Sequence, residues 1–326
     1  MAIGTETPSR SIDGLHVGRR GPVIGERVFR WSTVVAGVLV LAVLGLIAFT
    51  TTQQALPAFR SQGIGFITNS RWAPSAGVFG TLAFVYGTFV VSAIALVFAV
   101  PVSLGIALFT TELAPRRLRG GITTVVDLLA AMPSVVFGLW GVLVLIPAIE
   151  PVYERISSAV ASIPILNALF AGSSGRSFMT AGLIVALMII PIITSISREV
   201  FNTVPQEEKD AALALGATRW EMIRGAVLPH SFGGIMGAVM LGLGRALGET
   251  IAIALLIGSA VQITPDLFSP GYAMPAVIAN QWSESSGLYR DALIGIGVTL
   301  FAITIVVNVA ARWVVARAER RLRGAV

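Results

Sequence analysis

The sequence holds no cysteine, which excludes disulfides, thiol catalysis and zinc–thiolate sites. Charge is scarce as well: charged residues make up 12% of the 326, where an ordinary soluble domain carries about 25%. A chain so poor in charge cannot cover itself with polar surface, and lipid is its expected solvent. The only histidines, His16 and His230, lie in polar stretches outside the apolar runs and read as solvated or interfacial side chains. Lysine occurs once, at Lys209 after Glu208, so there is no Gly-x-x-x-x-Gly-Lys-Ser/Thr loop to cradle a nucleotide. The apolar runs contain no cluster of metal ligands and no Ser/His/Asp grouping, which leaves no site chemistry for an enzyme.

What is abundant is apolar sequence, 55% of the chain. Crossing the hydrocarbon core takes about 20 apolar residues. Six runs qualify: 31–52, 78–110, 121–149 (with Asp127 near its start), 178–197, 232–261 (with Arg245 and Glu249) and 292–311. The first is expected to be a retained anchor, since its basic leader is long and its apolar run exceeds that of a signal peptide. The net charge of +6 could suggest nucleic acid, but the basic residues sit in short stretches between the runs. They concentrate before the first run, after the second and fourth, and after the sixth. Basic residues accumulate on the cytoplasmic side, so both termini are expected inside, with loops 53–77, 150–177 and 262–291 outside. The expected fold is an all-α integral membrane bundle of six transmembrane helices. Its parts are a mobile N-terminal tail (1–28), a transmembrane domain (29–316) and a basic C-terminal tail (317–326).

The stretch 198–230 is too patterned for a simple connector. Pro205 suits a first helical position, and Glu207, Glu208 and Asp210 favour the positive end of a helix dipole. Ala211 to Leu215 continue with strong helix formers, and Gly216 suits the left-handed residue that ends many helices. Thr218 with Glu221 matches a capping box for a second short helix, which Leu228-Pro229 is expected to end. The helix–turn–helix reads either as a surface-lying connector or as a contact face for another protein, with small residues that permit close approach.

The segment DAALALGATRWEMIRGAVLP resembles the cytoplasmic signature of ABC importer permeases. ERVFRWS, LPAFRSQGIGFI, AAMPSVVFGLWG, GLGRALGET and VIANQW resemble one branch of them, the phosphate importers, and within it the first of the two permease subunits. The likeness runs from about Gly25 to the C-terminus. It implies the type I ABC importer permease fold in the plasma (inner) membrane and the import of inorganic phosphate. It also implies four kinds of association: a second, homologous permease, two ATPase subunits, an external phosphate-binding protein and the bilayer. ATP and magnesium would be used by the ATPase, and this chain would need no cofactor. Asp210, Ala211, Ala212 and Gly216 would form the element that couples to the ATPase, with Asp210 in place of the family's usual glutamate. Sulfate and molybdate permeases share the coupling motif, so those oxyanions stay open. An ion-driven secondary transporter would call for inverted repeats, and no repeat is evident.

Arg245 and Glu249 stand four residues apart, so on a continuous helix they share a face and can pair. One reading is a neutralising salt bridge. The other is a translocation pathway in which the guanidinium meets phosphate oxygens, while Glu249 holds Arg245 in place and weakens its grip so that the anion is not trapped. The resemblance favours the pathway, because phosphate permeases carry an arginine and a glutamate at matching positions. Gly233 and Gly237, and again Gly244 and Gly248, give spacings that let membrane helices pack closely. Pro101, Pro133, Pro147 and Pro191 fall in or near the runs, where kinks are expected.

Overall fold

The computed structural model describes residues 24–323. The tail expectation for 1–23 and the final residues 324–326 lie outside them, as does His16. Two compact units divide at Thr50 and Thr51. Within the first, helix α1 (Ile24–Gln62, continuing into the second unit) exposes valine, leucine, isoleucine and phenylalanine on all sides from Val28 to Phe49. A helix apolar all round belongs in lipid or a core. The hydroxyls of Ser32 and Thr33 donate back to the Phe29 carbonyl and that of Thr50 to Leu46, so these polar groups are met within the helix itself.

In the second unit a short α2 (Gly65–Thr68) precedes a two-stranded hairpin of β1 (Trp72–Ala73) and β2 (Val78–Phe79). Helix α3 (Leu82–Leu108) follows and finishes in a widened π turn, Phe109–Leu113. Then come α4 (Arg116–Ala131), α5 (Ser134–Trp140), a π turn Gly141–Leu145, α6 (Ile146–Val160), α7 (Pro164–Phe170) and α8 (Phe178–Asn202). Helix α9 (Gln206–Ala214) and α10 (Arg219–Met222) lead through a third π turn, Ile223–Val227, into α11 (Leu228–Gly248). Helices α12 (Ile251–Leu256), α13 (Met274–Gln281) and α14 (Gly287–Arg323) complete the chain.

Among the described residues, six helical stretches are long and apolar enough to cross a membrane: Gly25–Gln62, Leu82–Leu113, Ser134–Val160, Phe178–Asn202, Arg219–Gly248 and Gly287–Arg317. The third differs from its expectation. Proline at 133 forces Met132 into an extended conformation (ψ 133°), so no helix passes from 121 to 149. The apolar span starts after that break, and Asp127 lies exposed on the separate helix α4 rather than inside a span. The expected stop at Leu228-Pro229 is also absent, since the helix runs on through the π turn Ile223–Val227. Pro101 and Pro191 lie inside continuous α-helices.

The core gathers around α8, where 61% of the most apolar window is buried, against 17% for Ser134–Val160. Side chains and glycines interlock there: Gly182 receives Ile94 of α3, while Gly234 and Gly242 of α11 receive Val200 and Ile193 of α8. Ser103 Oγ donates to the Ile190 carbonyl at 3.2 Å, adding a polar stitch between α3 and α8. At the start of α3, Gly87 lies against the Tyr272 carbonyl and Thr88 Oγ1 accepts the Met274 N–H at 2.9 Å, so the loop after α12 is drawn into the bundle.

Candidate functional site

The residues singled out by the sequence fall at two places, the break that ends the fifth span and the helix–turn–helix that leads into it. Helix α11 ends at Gly248. Glu249 is extended (φ −67°, ψ 127°), Thr250 turns the chain (φ −112°, ψ −63°), and α12 restarts at Ile251. Two carbonyls freed by the break are met: Thr250 Oγ1 donates to Gly248 O at 3.1 Å, and the Glu249 N–H reaches Ala246 O at 3.4 Å.

The break separates Arg245 from Glu249. Glu249 is 8% exposed, and its Oε1 accepts the Ala252 N–H at 3.4 Å, at the start of α12. Arg245 is exposed and has no hydrogen-bond or ion-pair partner among the described residues. The expected pairing across one helix face is therefore not formed, because four-residue spacing brings side chains together only where the helix continues through both. Of the glycines in the expected spacings, Gly237, Gly244 and Gly248 do not pack against the described residues. A Cβ at Gly237, Gly244 or Gly248 would meet nothing within 4 Å, and Leu241 on the same stripe is 60% exposed. Gly234 and Gly242, which receive Val200 and Ile193 of α8, do the packing instead.

A permanently charged guanidinium on an open face of an apolar span is costly in lipid, at least about 2.5–3.5 kcal/mol. Such a group belongs beside water or a partner. Its planar fork of donors matches carboxylate and phosphate-like oxyanions. Helices broken near a charge are also where transporters build their sites.

At the second place, α9 and α10 form as the local signals require, with Pro205 at the cap rather than the first turn of α9. Gly216 takes φ +85°. Its N–H bonds Leu213 O at 3.0 Å and that of Ala217 bonds Ala212 O at 3.2 Å, the paired closure that ends a helix at a left-handed residue. Thr218 and Glu221 make the reciprocal capping box of α10. Asp210, Ala211 and Gly216 are exposed, Ala212 is half-buried, and Asp210 Oδ1 accepts from Gln206 Nε2 at 2.9 Å. Leu215 (90% exposed) and Trp220 (62%) flank them, so a small-residue face is bordered by open apolar groups.

Residues 99–324, which hold both places, match the family model of the binding-protein-dependent transport system inner membrane component. The chain belongs to that family. This inner-membrane component is 44% identical over 299 residues to the phosphate transport system permease protein PstC of Mesorhizobium japonicum, covering 91% of each chain. It is 43% identical to the PstC of Xylella fastidiosa strain Temecula1 over 81% of this chain and 82% of the relative. Against the PstC of Pasteurella multocida, identity is 38% over 91% and 93%. Among solved structures, a bacterial alginate ABC transporter bound to an alginate pentasaccharide-loaded periplasmic protein aligns with TM-score 0.55 at 17% identity. That alignment covers 91% of this chain and 98% of the other. The inward-facing MetNI methionine ABC transporter aligns with TM-score 0.51 at 14% identity, over 77% and 99%. The inner-membrane component has the type I ABC importer permease fold.

Sequence reasoning missed one feature of the second place. Lys209 is buried and its Nζ lies 2.7 Å from Glu112 Oε1, 97 residues away. Being the sole lysine marked it as unusual, but nothing local named its partner. A polar cavity of about 590 Å³ lies beside the pair, lined in part by Thr111, Arg119, Asn202 and Gln206.

Proposed function

We propose that this chain is the permease subunit of an ATP-driven importer of inorganic phosphate, forming half of the translocation pathway. The observation that carries the reading is Arg245, unpartnered among the described residues, beside the helix break that ends an apolar span. An oxyanion crossing the membrane needs a fixed cation that holds it briefly, and an arginine without a carboxylate partner keeps its full fork of donors for that purpose. The names of relatives at 38–44% identity give the anion as phosphate. The open stripe Gly237, Leu241, Gly244 and Gly248 is then where a second, homologous permease closes the pathway. Asp210, Ala211, Ala212 and Gly216 meet one of two ATPase subunits, and an external phosphate-binding protein delivers the substrate. Both termini lie in the cytoplasm. The subunit is non-catalytic, without a cofactor, and nucleotide and magnesium are used by the ATPase.

The test is phosphate uptake in cells, normalised to assembled complex. Arg245→Ala is expected to assemble and to lower uptake about ten- to a hundredfold, as loss of a charged recognition group does. Arg245→Lys is expected to be intermediate, since a point charge lacks the fork. Wild-type uptake by Arg245→Ala would remove the residue from the pathway. Uptake of sulfate or molybdate in preference to phosphate would replace the substrate.

A further inference from the structure

The residue preceding the proposed coupling face reaches deep into the protein. Lys209 Nζ and Glu112 Oε1 are 2.7 Å apart, with the two side chains 11% and 9% exposed. Glu112 belongs to the π turn Phe109–Leu113 that finishes the helical stretch Leu82–Leu113. Withdrawing two charges from water is expensive, and apolar residues of similar volume fill such a space at no loss of stability. Stability alone therefore gives no reason for the pair.

The neighbouring residue reaches another element. Glu208 Oε2 lies 3.3 Å from His230 Nδ1 in the first turn of α11, with both side chains partly open to solvent. Successive residues of α9 thus hold two membrane helices, α3 through a buried contact and α11 through an exposed one. Exposed pairs are screened and weak, whereas a buried pair resists separation. The remote end of α3 is equally well tied. Tyr86 OH donates to Thr264 O at 2.6 Å and Thr88 Oγ1 accepts from Met274 N–H at 2.9 Å. Both partners flank or lie in the loop that follows the break at Glu249. The helix from Tyr86 to Glu112, about 39 Å at about 1.5 Å per residue, therefore joins α9 to that loop.

We propose that the Lys209–Glu112 ion pair is a mechanical tie that makes α9 and α3 move as one body. A displacement of α9 is then delivered along α3 to the loop after the helix break, in parallel with the direct route into α11. Lys209 and Glu112 are positioning residues in this scheme and touch no substrate. The inference rests on the reading above that α9 meets the ATPase.

The experiment uses the complete importer in liposomes, with ATP hydrolysis and phosphate uptake measured on the same preparation. Two double variants are compared with wild type: Lys209→Met with Glu112→Met, and the reversed pair Lys209→Glu with Glu112→Lys. The methionine pair is expected to assemble and hydrolyse ATP while phosphate moved per ATP falls about tenfold, the usual size of a coupling between sites. The reversed pair is expected to regain roughly half of the wild-type ratio or more, as a restored direct contact does in a double-mutant cycle. A wild-type ratio from the methionine pair overturns the tie, as does a reversed pair no better than the methionine pair. Should the methionine pair fail to assemble, the reversed pair decides alone: a regained ratio supports the tie and a lost one overturns it. Failure of the underlying reading is distinct, because the wild-type chain itself would then leave the ATPase unbound.

Discussion

Gly216 and Gly87 show two different reasons for a glycine. Gly216 holds φ +85° in open space, so a side chain there meets no atom but strains the backbone. Gly216→Val is expected to cost about 1–2 kcal/mol locally, to leave insertion intact and to reduce the ATPase that co-purifies with the chain. Gly216→Asn, which accepts the left-handed region, should retain most of it. Gly87 has an ordinary φ, but a Cβ there runs into the Tyr272 carbonyl. Gly87→Val should therefore lower the yield of folded chain in detergent by displacing the loop after the break, at a cost of about 1–3 kcal/mol or more. The first glycine was legible in the sequence, because helix ends are set by residues next to one another. The second was not, since its need arises from a carbonyl far along the chain.

Proline placement organises the elements. Pro115, Pro147 and Pro229 each stand two residues beyond a π turn, at Phe109–Leu113, Gly141–Leu145 and Ile223–Val227. A proline in a regular helix lacks the N–H for the carbonyl four residues back and its ring clashes with that group. A widened turn just before it moves the carbonyl away, so the helix can carry on through Pro147 and Pro229. Pro229→Ala restores the N–H and lets the turn relax to α, which turns everything before it by about 100° relative to α11. Helix content measured by circular dichroism should then be unchanged, while ATPase association falls. Met132-Pro133 shows the opposite outcome, a full break with no π turn ahead of it. The dipeptide is visible in the sequence, yet the long, mostly apolar run over 121–149 predicts a kink there rather than a break. Likewise, four-residue spacing lets Arg245 and Glu249 pair only on a helix that continues through both, and this helix stops at Gly248.

At the scale of the whole molecule, burial is uneven. The α8 core is enclosed, while Ser134–Val160 and the α11 stripe with Arg245 keep open faces. Open faces of this kind suit lipid or a partner, and on the proposed reading the chain supplies half a pathway, which by itself conducts nothing. The chain reconstituted alone in liposomes is expected neither to take up phosphate nor to respond to a proton or sodium gradient, whereas the complete importer does so with ATP. Gradient-driven uptake by the lone chain would count for a secondary transporter. The sequence by itself determined the solvent, the number of spans and the helix–turn–helix with its caps, because hydropathy and hydrogen bonds among near neighbours suffice for those. Only the tertiary structure decided that Arg245 stands free, that Glu249 turns to α12, and that Lys209 meets Glu112. Those outcomes depend on where the backbone departs from its regular period and on charges brought together across 97 residues of chain, and no local pattern carries either.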